Sequence, residues 1–540
     1  MRTWLLPALL AFASRLWGQE LCPPTPLYSV CDIKFYIPGA NADSLQLYAE
    51  MKSPRFRTVL APAFPAGGST WILRFAPTDP GTYEFRMTSS LPQFNGKKGT
   101  IEATPSEHPG FIRPANVHHW IHPETLKPHL WTGGINHLRV ALPSADSPEA
   151  MAPIEARIRE LNGQGITADL ILAPAPSDIL RRYPTPQARE KWIRGILARF
   201  SAFDVTWLIV GKFEGERGAR ALLKELGGLL KKEDPYNHPR SAGAAMTTSA
   251  MVADGWMDYI NIGTDIRAVP AVEHQFFGIP FVNIAAAKPG AAFRSQLWNA
   301  TMDGQYPSLG GGDAATMKAW HEFFERTRFW ELEPYFDVDG GRAVALNDVE
   351  YIVYVENPSG PVEVTVEKHG YDVYWFDPAT GAYNKDKKDF KGDHFVGDPP
   401  SKDHDWVLHL SRDGRKEGMR KSYKFESMRN DMQEPEMTPE RVPFTIAEPT
   451  TDKLSIANPV KFAAKLKRDT RATRQMLYVW TAEVVADGEG LRVIGTGAEG
   501  QIALSQDIAR NFPATANVRL SAINANGKAY ALDRVVQLVP

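Results

Sequence analysis

The sequence predicts a multidomain chain in which a (β/α)8-type barrel is flanked by antiparallel β-sandwich domains. Three observations predict it. Residues 27–104 hold short alternating strands spaced by Pro and Gly turns, the pattern of a sandwich. From about residue 130, buried-strand runs alternate with amphipathic helices, the texture of a parallel sheet covered by helices. Beyond residue 336, evenly spaced β runs return. At 540 residues the chain has room for about three or four domains.

The N-terminus reads as a signal peptide over residues 1–19. Arg2 precedes the apolar stretch WLLPALLAFA, which is too short to span a bilayer, and cleavage is expected near Gly18 or Gln19. The expected location is secreted or periplasmic, with no membrane span. Cys22 and Cys31 are the two cysteines of the chain, and in an oxidising compartment they can close a short disulfide loop. Two cysteines make no structural zinc site. A net charge of −2 offers no basic face for nucleic acid.

A first sandwich is expected over residues 20–107, with Asp32–Ile37, Trp71–Phe75 and Thr82–Met87 among its strands. Residues 108–137 are rich in histidine: His108, His118, His119, His122, His129 and His137. Pro109, Pro114, Pro123 and Pro128 prevent a helix that would align them, so solvated loop histidines and no metal site are expected.

The barrel is expected over residues 108–335. Strands are read at Leu130–Gly134, Leu138–Leu142, Asp169–Ala173, Val205–Gly211, Ser241–Ala245, Tyr259–Gly263 and Phe281–Ala285. Ile154, Ile158 and Leu161 mark one helix, and Trp192, Ile193, Ile196, Leu197 and Phe200 another. Leu222, Leu223, Leu226, Leu229 and Leu230 mark a third, and a last one falls near residues 313–328. Some 200 residues is close to the lower limit for eight units, so the barrel is either trimmed or irregular in one unit. A small sandwich over 336–412, a charged linker over 413–441 and an immunoglobulin-like sandwich over 442–540 complete the chain.

The order of these pieces resembles secreted bacterial glycoside hydrolases with an apiosidase-like barrel. In that family the barrel follows an N-terminal sandwich of unknown function and precedes a small collagen-binding-type sandwich. The matching stretches are Pro80-Gly81-Thr82-Tyr83, HPGFIRPANVHHWIHPETLKPHLWTGG (108–134), DPYNHPRS (234–241), RFWELEPYF (328–336) and VYWFDPATG (373–381). The resemblance covers roughly residues 27–412. It implies cleavage of glycosidic bonds by two carboxylates at the C-terminal ends of barrel strands.

Here those two positions read differently. The slot for the acid/base Glu holds Gly211-Lys212, and the strand that would carry the nucleophile ends in Ala285-Ala286-Ala287. Alanine cannot act as nucleophile or base. The neighbouring candidates for relocated acids are Glu214, Glu216 and Asp265. Glu214 and Glu216 also suit a loop leading into a helix, whose N-terminus favours acidic side chains. Trp131, Trp207 and Trp298 are the candidate sugar-stacking residues. The expected function is thus a glycoside-hydrolase-like protein that binds carbohydrate with impaired catalysis and no cofactor. The alternatives are an active glycosidase with relocated carboxylates, and an extracellular structural or adhesion protein.

Overall fold

The computed structural model describes residues 19–40, 45–386, 389–412, 432–484, 492–502 and 512–540. The expected signal peptide, apart from Gln19, and most of the expected linker lie outside the described residues.

The first β region carries eight strands among the described residues. Strand Thr58–Gly67 pairs with Thr70–Phe75 on one side and with Leu47–Lys52 on the other, so it joins two halves that face each other. Alternate residues point inward: in Cys31–Tyr36 every second side chain is buried, from Cys31 through Ile33 to Phe35. Trp71, Leu73, Tyr83, Phe85 and Ile101 fill the space between. The expected disulfide is present, linking Cys22 to Cys31.

The middle of the chain holds seven parallel strands among the described residues. Four of them, His137–Ala141, Thr167–Ile171, Val205–Leu208 and Arg240–Ser241, form one sheet. Ile260–Ile262, Phe281–Asn283 and Gln305–Pro307 form a second. Two seams join them. At one, the Asp258 N–H donates to the Arg240 carbonyl (2.9 Å); at the other, the Gly133 N–H donates to Pro307 (2.8 Å). No single eight-stranded parallel sheet forms among the described residues. Glycine permits the tight approach of successive strand ends. A Cβ on Gly243 would meet the Gly211 carbonyl at 2.1 Å, and one on Gly263 the Ala244 carbonyl at 2.0 Å.

Helices Pro148–Gly163, Pro186–Phe200 and Ala219–Glu233 cover the first sheet with the faces that the periodicity predicts. Ser147 and Thr185 cap the first two by accepting from backbone N–H groups, each with Pro at the helix start. Helices Ala291–Met302 and Ala314–Phe324 belong to the second half.

One expectation about local structure is corrected, and one strand is added. Leu130–Gly134 is not a strand but leads into a turn. The Asn136 amide accepts from the Thr132 N–H at 2.8 Å and donates to the Leu130 carbonyl at 2.8 Å, which bends the chain. Strand Gln305–Pro307 goes unread in the sequence, because three residues ending in Pro carry no periodicity.

The small β region begins at Glu333, where a strand pairs with Arg342–Leu346. Its long strand Val362–Phe376 bulges between Thr365 and His369. The N-terminal part pairs with Phe390–Gly397 and the C-terminal part with Trp406–Ser411. Among the described residues, the last region has a three-stranded and a five-stranded sheet packed around Trp480, Phe462 and Phe444.

Candidate functional site

Strand Val205–Leu208 is buried at every residue, and the chain then leaves it at Gly211, whose N–H donates to the carbonyls of Ala173 (2.9 Å) and Pro174 (3.1 Å). Lys212 emerges exposed. Beyond it, Glu214 turns back and accepts from the backbone N–H groups of Ala245 and Met246, both at 2.8 Å. Glu216 accepts from the Ser177 N–H (2.6 Å) and Oγ (3.0 Å), at the start of helix Pro176–Arg182. Both carboxylates therefore act as clamps on neighbouring loops.

Asp265 is placed differently. It follows strand Ile260–Ile262 and pairs with the Lys288 ammonium, whose hydrogen bond holds its carboxyl below the usual carboxylate range. Ala285 is buried, and its carbonyl accepts from the Gly310 N–H at 3.2 Å. No carboxylate replaces it there. The structure does not bring Glu214, Glu216 and Asp265 onto a shared hydrogen-bond partner.

A cavity of about 730 Å³ opens beside Asp265 and Lys288. Helix Ala291–Met302 forms one wall, and the small β region forms the facing one through Arg342, Glu356 and Asp405. Its charges are largely paired. Arg294 donates to Asp405 (2.9 Å), Arg342 pairs with Asp303, and Asn299 and Ser295 donate to Glu356. Planar amides and ion pairs line it, with Asn283, Gln296 and Gln305 among them.

The three tryptophans expected to stack on sugar are corrected to core residues. Trp131 is 1% exposed and lies 3.6 Å from the His137 ring in a parallel stack. Trp207 has no exposed surface and donates its indole N–H to Asp234 at 2.9 Å. Trp298 stacks on Tyr354 inside the contact between helix and small sandwich. Their apolar area goes into packing, Trp131 against His137, Trp207 on a strand buried at every residue and Trp298 against Tyr354.

The histidine-rich segment is also corrected. His118, His119, His122, His129 and His137 are buried, not solvated. His122 Nε2 lies 3.1 Å from His129 Nδ1, His129 Nε2 lies 2.9 Å from His137 Nε2, and His137 Nδ1 lies 2.9 Å from Asp169. Thr206 donates to the same Asp169 oxygen at 2.8 Å. Burial, with the neighbouring His137 and His122, pushes His129 well below the ordinary histidine value. A second group, His118, His274 and Glu333, brings three ligand-type atoms within 4.8 Å of one another. The sequence does not single out His274 and Glu333, which lie about 156 and 215 residues away from His118 and share no motif with it.

No family model and no curated protein matches the chain. Among solved structures, a candidate glycoside hydrolase from Bacteroides vulgatus is similar at 15% identity and a TM-score of 0.61, covering 72% of this chain and 99% of that one. A pullulanase from Paenibacillus barengoltzii, solved with maltohexaose and alpha-cyclodextrin, covers 75% of this chain and 97% of its own at 10% identity. Its TM-score of 0.30 is too low to bear on the fold. The first likeness shows that the chain shares the fold of that protein.

Proposed function

We propose that the chain is an exported, carbohydrate-binding relative of glycoside hydrolases that does not cleave glycosidic bonds. On this reading the two parallel sheets are the two parts of one irregular barrel, joined at the seams beside Arg240 and Pro307. The observation that carries the loss of hydrolysis is the commitment of the acids. Glu214 and Glu216 are spent on backbone and serine donors, and Ala285 stands where a nucleophile would be needed. Glycoside hydrolysis needs two carboxyl groups facing each other about 5–9.5 Å apart across the scissile bond. The Cys22–Cys31 disulfide supports export, since such bonds persist in oxidising compartments. Sugar is assigned to the cavity beside Asp265, whose amides and ion pairs suit hydroxyl groups.

A second reading, an active glycosidase with a relocated acid, is favoured by Asp265 alone, because it lines that cavity. A screen of plant and bacterial polysaccharides for released reducing ends, run beside a glycan array, separates the readings. Binding without turnover is expected. Turnover abolished by Asp265→Asn would establish the second reading. No binding and no turnover would leave the structural or adhesion role.

A further inference from the structure

His118 and His119 sit on the buried strand and turn just before the first parallel sheet, His274 ends helix Ala268–Glu273, and Glu333 opens the small β region. Three segments far apart in sequence thus meet at one carboxylate. Glu333 Oε2 lies 3.0 Å from His118 Nδ1 and 3.5 Å from His274 Nε2, and its Oε1 lies 3.3 Å from His119 Nε2. The rings of His118 and His274 are only 3.8 Å apart.

Two features distinguish this group from a packed ion pair. First, His119 Nε2 and His274 Nε2 are buried, on residues only 4% and 2% exposed, and they approach Glu333 at 3.3 and 3.5 Å without the geometry of a good hydrogen bond. Two buried nitrogens met this poorly cost free energy unless something else meets them better. Second, the opposite ring nitrogens are oriented from behind. His118 Nε2 faces the Phe277 carbonyl at 2.9 Å, and His119 Nδ1 faces the Tyr306 hydroxyl at 2.7 Å. This is the outer support that ligating imidazoles require. Gly304 keeps the pocket open, since a Cβ there would meet His274 Nε2 at 2.2 Å.

We propose that His118, His274 and Glu333 form a binding site for a divalent transition-metal ion of the zinc type, with His119 beside the second carboxylate oxygen. Two imidazoles and a carboxylate, with no thiolate, suit zinc or its neighbours in the series and do not suit calcium or magnesium, which take oxygen ligands. Zinc–nitrogen bonds of ~2.0 Å in a tetrahedron place ligand atoms about 3.3 Å apart, so the present spread closes with small side-chain adjustments. Glu333, with 24% of its side chain exposed, leaves an approach for the ion and for a water. The site would tie the histidine-rich segment and the small β region to the second parallel sheet, and it is independent of sugar binding.

The test uses the full-length chain without an affinity tag, stripped with chelator and titrated with zinc. Uptake of about one equivalent per chain, with a raised melting temperature, is expected. Glu333→Gln, which keeps the shape, and His274→Ala should each weaken uptake by more than about 100-fold, beyond what loss of an outer partner costs. Cobalt loaded into the unaltered chain should give the visible bands of a four- or five-coordinate nitrogen and oxygen site, a readout that needs no variant to fold. Uptake below about a tenth of an equivalent by the unaltered chain would overturn the site, as would parental uptake by a folded Glu333→Gln variant.

Discussion

Arg74 Nη1 lies 2.9 Å from Glu155 Oε2, and this pair binds the first sandwich to helix Pro148–Gly163. The guanidinium is all but buried. It also donates to Asp32 at 2.6 Å and to the Arg199 carbonyl at 2.7 Å, and it lies over the rings of Phe64 and Phe203. Burial opposes its charge, but Asp32 and Glu155 outweigh that and raise its pKa.

Arg74→Ala removes the buried cation that Asp32 and Glu155 share and leaves them only Arg159 and Arg199 as partners. Breaking a buried pair from one side costs about 3–5 kcal/mol, and urea unfolding should show a loss of that order. An unchanged midpoint would mean that the two regions are not held together through this residue.

Trp298→Ala distinguishes a packing role from a sugar subsite. Deleting a fully buried Trp costs about 3–5 kcal/mol, so the melting temperature should fall while the affinity of the remaining folded protein for sugar is unchanged. A selective loss of binding at full stability would restore the subsite reading.

Glu273 gives the chain a pH-dependent stability. Burial pushes its carboxyl up to about 7, against hydrogen bonds from Thr247 and Ser249. The folded chain therefore holds a proton that the unfolded chain releases near the ordinary carboxyl value. The contribution is fully present below that value and is lost as pH rises through about 7, a span of about 3 kcal/mol at most. Glu273→Gln should flatten this slope, and its stability relative to the parent should rise between pH 5 and pH 8. An identical slope in both proteins would place the titration elsewhere.

Reduction of the Cys22–Cys31 bond should also be visible. Closing a loop of this length restricts the unfolded chain by about 2–3 kcal/mol, and the Cys22→Ser, Cys31→Ser double variant should lose that amount. Cys31 is buried in the first sandwich, so part of any larger loss would come from packing.

Much of the architecture was legible in the sequence. The helix faces of Ile158, Leu161, Trp192, Ile193, Leu222 and Leu226 are buried as their spacing predicts. Strands Val205–Leu208 and Phe281–Asn283 lie within the apolar runs that announce them, and Thr167–Ile171 begins two residues ahead of its run at Asp169. Short elements were not legible: Leu130–Gly134 has the apolar start of a strand, yet a single Asn136 side chain turns it.

The candidate site was legible only in part. The absence of carboxylates at Lys212 and Ala285 could be read directly, since it is a matter of residue type. The fate of Glu214 and Glu216 could not, because their partners lie about 31 and 39 residues away.

By itself, then, the sequence determined the succession of β, α/β and β regions, the pairing of its two cysteines and the residue types at Lys212 and Ala285. Each of these depends on local periodicity or on residue identity. Only the tertiary structure decided that Trp131, Trp207 and Trp298 are core, that His118, His119, His122, His129 and His137 are buried, and that His118, His274 and Glu333 share one point in space. Burial and convergence depend on which distant segments pack together, and no local pattern encodes the distance between them.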